Sequence, residues 1–347
     1  MIEQGIINVN KPKGYTSHDC VNVVRSLTGI KRVGHTGTLD PMAEGVLPVC
    51  IGSAARIMEY LDMDLKTYTC QVLLGLETDT LDIWGQTVSE DIKGTEALIG
   101  EGKISEVAVR QVLEKFKGVI SQIPPKYSAL KVKGKKLYEY ARAGEVVEIS
   151  SRRVYIKNIQ LVDITLSERS FTFEVTCSKG TYVRSMCRDI GQALGCKAVM
   201  SGLVRTASGA FNLEQAVTMD QLKALRQGEN IRDPKTGRIT SYARALPEEL
   251  NTFVVSVDFP LVHFGEILVR PDRVKWFCDG GAVQANQVEV QSRPRFAEEA
   301  PPMAAREEFR QAYKAYTGDR GEAVFLGVAF FDQEKNTFKA DKVFGRG

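Results

Sequence analysis

Histidine is scarce in this chain: His18, His35 and His263 are the only three in 347 residues. A Ser-His-Asp relay or a histidine-rich metal site would have to use His18 or His35, and neither has an evident partner. The seven cysteines (Cys20, Cys50, Cys70, Cys177, Cys187, Cys196 and Cys278) are odd in number and widely spread. A disulfide scaffold is denser, and a zinc site uses C-x-x-C or Cys/His clusters. The pattern therefore predicts reduced thiols in a cytoplasmic protein without a metal. No run approaches the roughly 18 apolar residues of a membrane span. The opening "MIEQGIINVNKPKG" lacks the basic stretch and apolar core of a signal peptide. A phosphate-type glycine loop before a helix is missing too, as is any regular β-α-β rhythm, which argues against a doubly wound nucleotide fold. Net charge is only +3, so clustering must decide whether a nucleic acid is involved.

What is present reads as an α+β chain with a mixed, largely antiparallel sheet. "GIINVN" is a short apolar strand. Thr16 and Ser17 then offer helix caps, Cys20, Val21, Val24 and Leu27 share a helical face, and Gly29 stops the helix. "SAARIMEYL" reads as a second helix, and "KTYTCQVLLG" as a strand with Tyr68, Cys70, Val72 and Leu74 on one face. "SEVAVRQVLEKFKG" is an amphipathic helix with Val109, Val112, Leu113 and Phe116 inward. "RVYIKNIQLVDI" and "SFTFEVTCSKG" are strands, a helix starts near Tyr182, and "AVMSGLVRTASGAF" returns as a strand. Composition turns polar after Gly228, which predicts a first domain over 1–228 and a linker over 229–252. Short strands in "TFVVSVDFPLVHF", "GEILV", "AVFLGVAFFD" and "FKADKVF", with a small helix around "PDRVKWFC", predict a compact β-barrel over 253–347. The charged, alanine-rich stretch with three prolines near 290–320 reads as an insertion, partly helical from Ala305.

Positive charge is clustered. "PPKYSALKVKGKK" holds Lys126, Lys131, Lys133, Lys135 and Lys136 with no acid, and Tyr127 and Tyr138 lie within or just beyond it. Lysines interleaved with aromatics suit a phosphate backbone with bases free to stack, although a solvated charged face would look similar. Lys179, Arg184 and Arg188 in "SKGTYVRSMCRD" add a second basic group. The stretch "KRVGHTGTLDPMAEGVLPVC" places a single carboxylate, Asp40, among Gly34, Gly37 and Gly45, and Pro41 holds it away from helical angles. Such an acid either finishes a turn or is presented to a reactant as nucleophile or base, without metal or cofactor.

"GHTGTLDPMAEGVLP" resembles the catalytic motif of the TruB family of pseudouridine synthases. Further segments resemble that family in its own order: "VNKPKGYTSHD", "KTYTCQVLLGLETDTLDIWG", "QIPPKYSALKVKGKKLYEYARAGE", "CSKGTYVRSMCRDIGQALG" and "SGLVRTASGAF". Together they span residues 5 to about 212. Residues 253–347 resemble, more weakly, the RNA-binding PUA-type module that commonly follows.

The resemblance implies a cofactor-free tRNA enzyme that isomerises uridine 55 of the T-loop. It makes Asp40 the nucleophile or base and Arg184 its charge partner. It makes Tyr68 the ring that stacks on the flipped base, Tyr182 a second active-site tyrosine and Leu203 a wall of the base pocket. His35 is implied to contact or replace displaced RNA. Lys126, Lys131, Lys133, Lys135 and Lys179 would face RNA. Lys11, Pro12, Gly14 and Gly37 would brace the catalytic loop. The expected partner is tRNA through its T-loop and acceptor arm, with no guide RNA and no membrane, and the protein is expected to act as a monomer. A non-catalytic RNA-folding protein and the catalytic subunit of a guide-RNA particle are the competing readings.

Overall fold

The structure is a computed structural model that describes residues 3–63, 65–228, 231–232, 239–241, 244–295, 307–318 and 322–345. Contacts divide the chain into two compact units: Met1–Pro41 with Gly45–Asp64 and Gly209–Gly347, and Met42–Glu44 with Leu65–Ser208.

In the first unit the strand Gly5–Lys11 runs antiparallel to Glu44–Ile51, whose other edge carries Val33–His35. The outer edge of Gly5–Lys11 takes two short partners, Val254–Val255 antiparallel and Val217–Thr218 parallel. The near-continuous apolar run of these strands follows from burial on both faces. Ile7, Val9, Leu47, Val49 and Ile51 enter one core with Cys20, Val21, Val24 and Leu27. Ile6, Val46 and Cys50, of opposite parity, enter another. The Ser17–Thr28 helix has a Thr16/Asp19 capping box and stops at Gly29, whose φ of 70° is left-handed. The Thr16 hydroxyl and amide hold the Asp19 carboxyl below its ordinary range.

"SAARIMEYL" is helical, but as a 3₁₀ segment, Gly52–Met63. Its buried residues explain the difference: Ala54, Ile57 and Tyr60 recur every three positions, which is the 3₁₀ repeat. They pack into the second core against Phe309, Ala312 and Val328 from the C-terminal region.

That region departs from a closed barrel. It is a six-stranded sheet ordered Ala282–Gln284, Thr337–Val343, Val324–Asp332, Ala312–Thr317, Gly265–Val269, Val288–Ser292, open at both edges among the described residues. "TFVVSVDFPLVHF" contributes only Val254–Val255 as strand. Asp258 and Pro260 fall in consecutive turns closed by the Phe259, Leu261 and Phe264 amides. The partly helical stretch expected from Ala305 is met only briefly. Ala305 lies outside the described residues, Glu307–Gln311 is a 3₁₀ turn, and Ala312–Thr317 is an interior strand. Its "AYKAYT" alternation was masked by the charged, alanine-rich stretch around it.

The second unit is an antiparallel sheet ordered Ala198–Ser208, Lys66–Leu74, Ser170–Cys177, Arg152–Thr165, Gly118–Gln122. Tyr68, Cys70, Val72 and Leu74 are buried on one face beside Phe171, Phe173 and Val175 of the neighbouring strand. The Val183–Ala193 helix packs chiefly on the Ala198–Ser208 strand and reaches the Tyr68 strand beside it, and the Glu106–Glu114 helix packs on Arg152–Thr165. Val109, Val112 and Leu113 point inward as expected, whereas Phe116 falls beyond the helix end and is half-buried.

Candidate active site

In the first unit, the segment that carries Asp40 is sewn onto the one that follows the first strand. Lys11 is fully buried, and its Nζ donates to the carbonyls of Pro12 (3.0 Å), Tyr15 (2.5 Å) and Pro41 (3.0 Å). An ammonium has three donors, and three carbonyls meet them. The Gly14 amide also donates to the Pro41 carbonyl at 2.9 Å from a left-handed φ of 84°, a conformation that favours glycine. On the other side of Asp40, the buried Ser17 hydroxyl accepts from the Leu39 amide (2.9 Å) and reaches the Leu39 carbonyl (3.2 Å). Both neighbours of Asp40 are thus fastened, while its own side chain stays half-buried. Ser17 was readable only as a cap candidate. His35 ends the Val33–His35 strand opposite Val49, and the next residue's amide bonds the Pro48 carbonyl at 3.1 Å. Gly37 lies in the bend between them and is half-buried.

In the second unit the sheet register brings four proposed or neighbouring residues to one face. Tyr68 stands opposite Arg205, and Leu203 opposite Cys70, so Tyr68, Cys70, Leu203 and Arg205 point the same way. Tyr68 and Leu203 are buried, and Arg205 completely so. Parity could have found Arg205: it lies two residues beyond Leu203 on an alternating strand.

Arg184 is 6% exposed, on the first turn of the Val183–Ala193 helix. Its Nη1 donates to the Thr80 carbonyl (2.9 Å) and its Nη2 to the Tyr127 carbonyl (3.0 Å), with Asp82 Oδ2 3.8 Å away. The Thr80 carbonyl is presented by a tight turn. There the Thr78 hydroxyl bonds the Asp82 carbonyl (2.6 Å), the Thr80 hydroxyl bonds Asp82 Oδ1 (2.8 Å), and Leu81 takes a φ of 63°. Tyr182 caps the same helix, and Gln122 fixes it with a reciprocal pair. The Tyr182 amide donates to Gln122 Oε1 (2.8 Å), and Gln122 Nε2 donates to the Tyr182 carbonyl (3.1 Å). Gln122 and Asp82 both lie within the quoted family-like segments, but nothing there singles either out; for Gln122 nothing could, because its partners are main-chain atoms of Tyr182, distant in sequence. Below Arg184, Cys187 Sγ lies 3.4 Å from Cys70 Sγ, joining helix and strand through two buried thiols.

The lysine segment forms a small hairpin, Lys131–Val132 with Lys135–Lys136, turned by Lys133 (φ 50°) and Gly134 (φ 85°). Two consecutive positive φ values are the signature of a type I′ turn. Lys126, Lys131 and Lys133 are exposed, as is Lys179 in the Cys177–Val183 connection. Lys135 is half-buried and engaged, 2.8 Å from the Glu145 carboxylate and 4.6 Å from the centre of the Tyr140 ring. Beside the hairpin, a cavity of about 230 Å³ is lined by Asp79, Lys126, Tyr127, Tyr140 and Glu145, among others. Burial, then the neighbouring Asp79 carboxylate, pushes the Tyr127 hydroxyl above its ordinary range.

These arrangements can be set beside known proteins. Residues 25–183 match the family model described as TruB family pseudouridylate synthase (N terminal domain), and residues 184–259 match the tRNA pseudouridylate synthase B C-terminal domain. The chain is 35% identical to tRNA pseudouridine synthase B of Clostridioides difficile over 98% of this chain and 99% of that one. Identity to the protein of the same name from Bacillus subtilis is 47%, over 66% of this chain and 73% of the relative. Identity to that of Alkaliphilus oremlandii is 41%, over 81% and 83%. Among solved structures, a chain of a Cbf5-Nop10-Gar1 complex shares the fold, with a TM-score of 0.67, 22% identity, and coverage of 99% of this chain and 84% of that one. Sequence motifs, matched domain models and end-to-end relatives agree: the chain belongs to the TruB family of pseudouridylate synthases.

Proposed function

We propose that this protein is an isomerase that converts uridine 55 in the T-loop of tRNA to pseudouridine, alone and without guide RNA or cofactor. The reaction breaks the N1–C1′ bond, turns the base and joins C5 to C1′. The C5 proton leaves and N1 gains one, so nothing is added overall. Asp40 acts as nucleophile or base, by adding to C6, capturing C1′ or removing a sugar proton; each route needs an ionised, positioned carboxylate. Arg184 supplies the positive charge and planar fork that orient it. A T-loop uridine is stacked, so the base must be extruded at a cost of a few kcal/mol. Stacking on Tyr68 returns roughly 1–3 kcal/mol, Leu203 walls the base, and His35 occupies the space it leaves. Tyr182 is the proton carrier. Lys126, Lys131, Lys133, Lys135 and Lys179 meet phosphates, and the C-terminal six-stranded sheet serves as a PUA-like RNA-binding module of a cytoplasmic monomer.

The observation that supports this reading best is the fastening of Asp40 between Leu39, tied to Ser17, and Pro41, tied to Lys11 and Gly14. It is the preorganisation a reacting carboxylate requires. The test is purified protein and an unmodified tRNA transcript, with no other RNA. Wild type should form pseudouridine at position 55, and Asp40→Asn should bind the transcript yet lose turnover. Normal turnover in Asp40→Asn would refute the assignment, and a wild type that works only with an added guide RNA would favour the particle subunit.

A further inference from the structure

Five cations converge on the C-terminal end of the Ser17–Thr28 helix, all within the first compact unit. Arg25 Nε bonds the Lys31 carbonyl (3.2 Å), and its Nη1 bonds Asn22 Oδ1 (2.5 Å). Arg226 Nη2 bonds the Ser26 hydroxyl at 3.3 Å. The Arg244 guanidinium lies against Gly29, its Cζ 2.6 Å from where a Cβ would stand. Lys31 and Arg32 complete the group on the exposed connection to the His35 strand. Among the described residues every acceptor here is neutral, and no carboxylate pairs with any of the five. Acids on neighbouring elements are Glu248 and Glu249, the latter 3.4 Å from the Gln227 side-chain amide, and Asp220 and Asp19 at helix starts. This cluster alone carries more positive charge than the net +3 of the whole chain.

A helix C-terminus attracts cations, but its end carries only about half an elementary charge. Arg25 and Arg244 already meet that need, and Lys31 and Arg32 make no side-chain bond among the described residues. We infer that Arg25, Lys31, Arg32, Arg226 and Arg244 form a second RNA-backbone contact surface, which grips duplex phosphates of the substrate tRNA. The inference rests on the tRNA reading above. Arginine predominates, and its planar fork suits phosphate oxygens. Among the described residues no aromatic side chain stacks on any of the five, so the group offers phosphate contacts without base stacking, which points to duplex rather than single strand.

The test is the salt dependence of tRNA binding for a Lys31→Gln/Arg32→Gln double variant, with its melting temperature as the folding control. Each lost duplex phosphate contact lowers the slope of log K against log salt by about 0.9, so the slope should fall by about 1.8. Lys103→Gln, which removes an exposed lysine paired with Glu101 at 2.7 Å, should leave the slope as in wild type. A double variant whose slope matches wild type overturns the surface, whatever happens to affinity. So does an unaltered tRNA slope accompanied by weaker binding to poly-L-glutamate, which would assign the surface to an acidic protein. Wild-type pseudouridine formation, measured on the same preparation, judges the tRNA reading separately.

Discussion

Lys11 and Arg184 are both buried cations that donate hydrogen bonds to main-chain carbonyls, yet they gather very different stretches of chain. Lys11 collects carbonyls from residues 12, 15 and 41, so it pins one loop to the strand end and helix start beside it. Arg184 collects residues 80 and 127, 104 and 57 positions away, so it organises segments with no local reason to meet. The difference follows the chemistry of the heads. A compact ammonium directs three donors into a small volume, whereas a planar fork spans two separated acceptors. A lysine can build a loop, and an arginine can build a junction.

That contrast breaks first at Lys11. Lys11→Met should lose about 3–5 kcal/mol of stability, because each bond from a charged donor is worth roughly 1.5–3 kcal/mol and some carbonyls can recover water. Urea denaturation measures it, and a loss under 1 kcal/mol would mean the three bonds fasten nothing. Next comes the junction. Gln122 also ties the start of the Arg184 helix to a distant strand, so Gln122→Ala should cost about 2 kcal/mol and lower turnover more than it lowers tRNA binding. Equal losses in both would reduce Gln122 to general stability.

The smallest effect concerns the dry cores that flank both sites. Burial pushes the Cys50 thiol from 9.0 up to about 12, and Cys20 and Cys177 to about 11. A thiol pKa raised on folding contributes stability that is complete below pH 9 and lost as pH rises toward the folded value. Each such group steepens the alkaline decline by about 1.4 kcal/mol per pH unit. Cys50→Ala should make the decline between pH 9 and 10.5 shallower by that amount, read from denaturation midpoints. An unchanged slope would mean Cys50 is not shielded from water.

What the sequence made legible was periodic or motif-borne. Tyr68, Cys70, Val72 and Leu74 alternate and are buried on one face, and the helix from Thr16 to Gly29 carries its own caps. The loop around Asp40 was legible through its family motif, and the bracing expected of Lys11 and Gly14 has atomic partners in Pro41. What escaped depended on distant main-chain atoms: the carbonyls that hold Arg184, the Gln122–Tyr182 exchange, and the Ser17 grip on Leu39. Side-chain patterns carry no record of which carbonyl waits across the fold. The strand Ala312–Thr317 escaped for another reason, since its pairing energy comes from neighbours on both sides rather than from its own composition.

The first strand has one consequence beyond catalysis. Ile6 faces a core completed by Phe309, Ala312 and Val328, residues some three hundred positions later. The strand around Ile6 therefore leaves the ribosome with a sticky side whose cover is completed only by residues made some three hundred positions later. A prematurely terminated chain would keep every proposed reactive group and still expose that bare face, making it a target for chaperones or self-association rather than a shorter working enzyme.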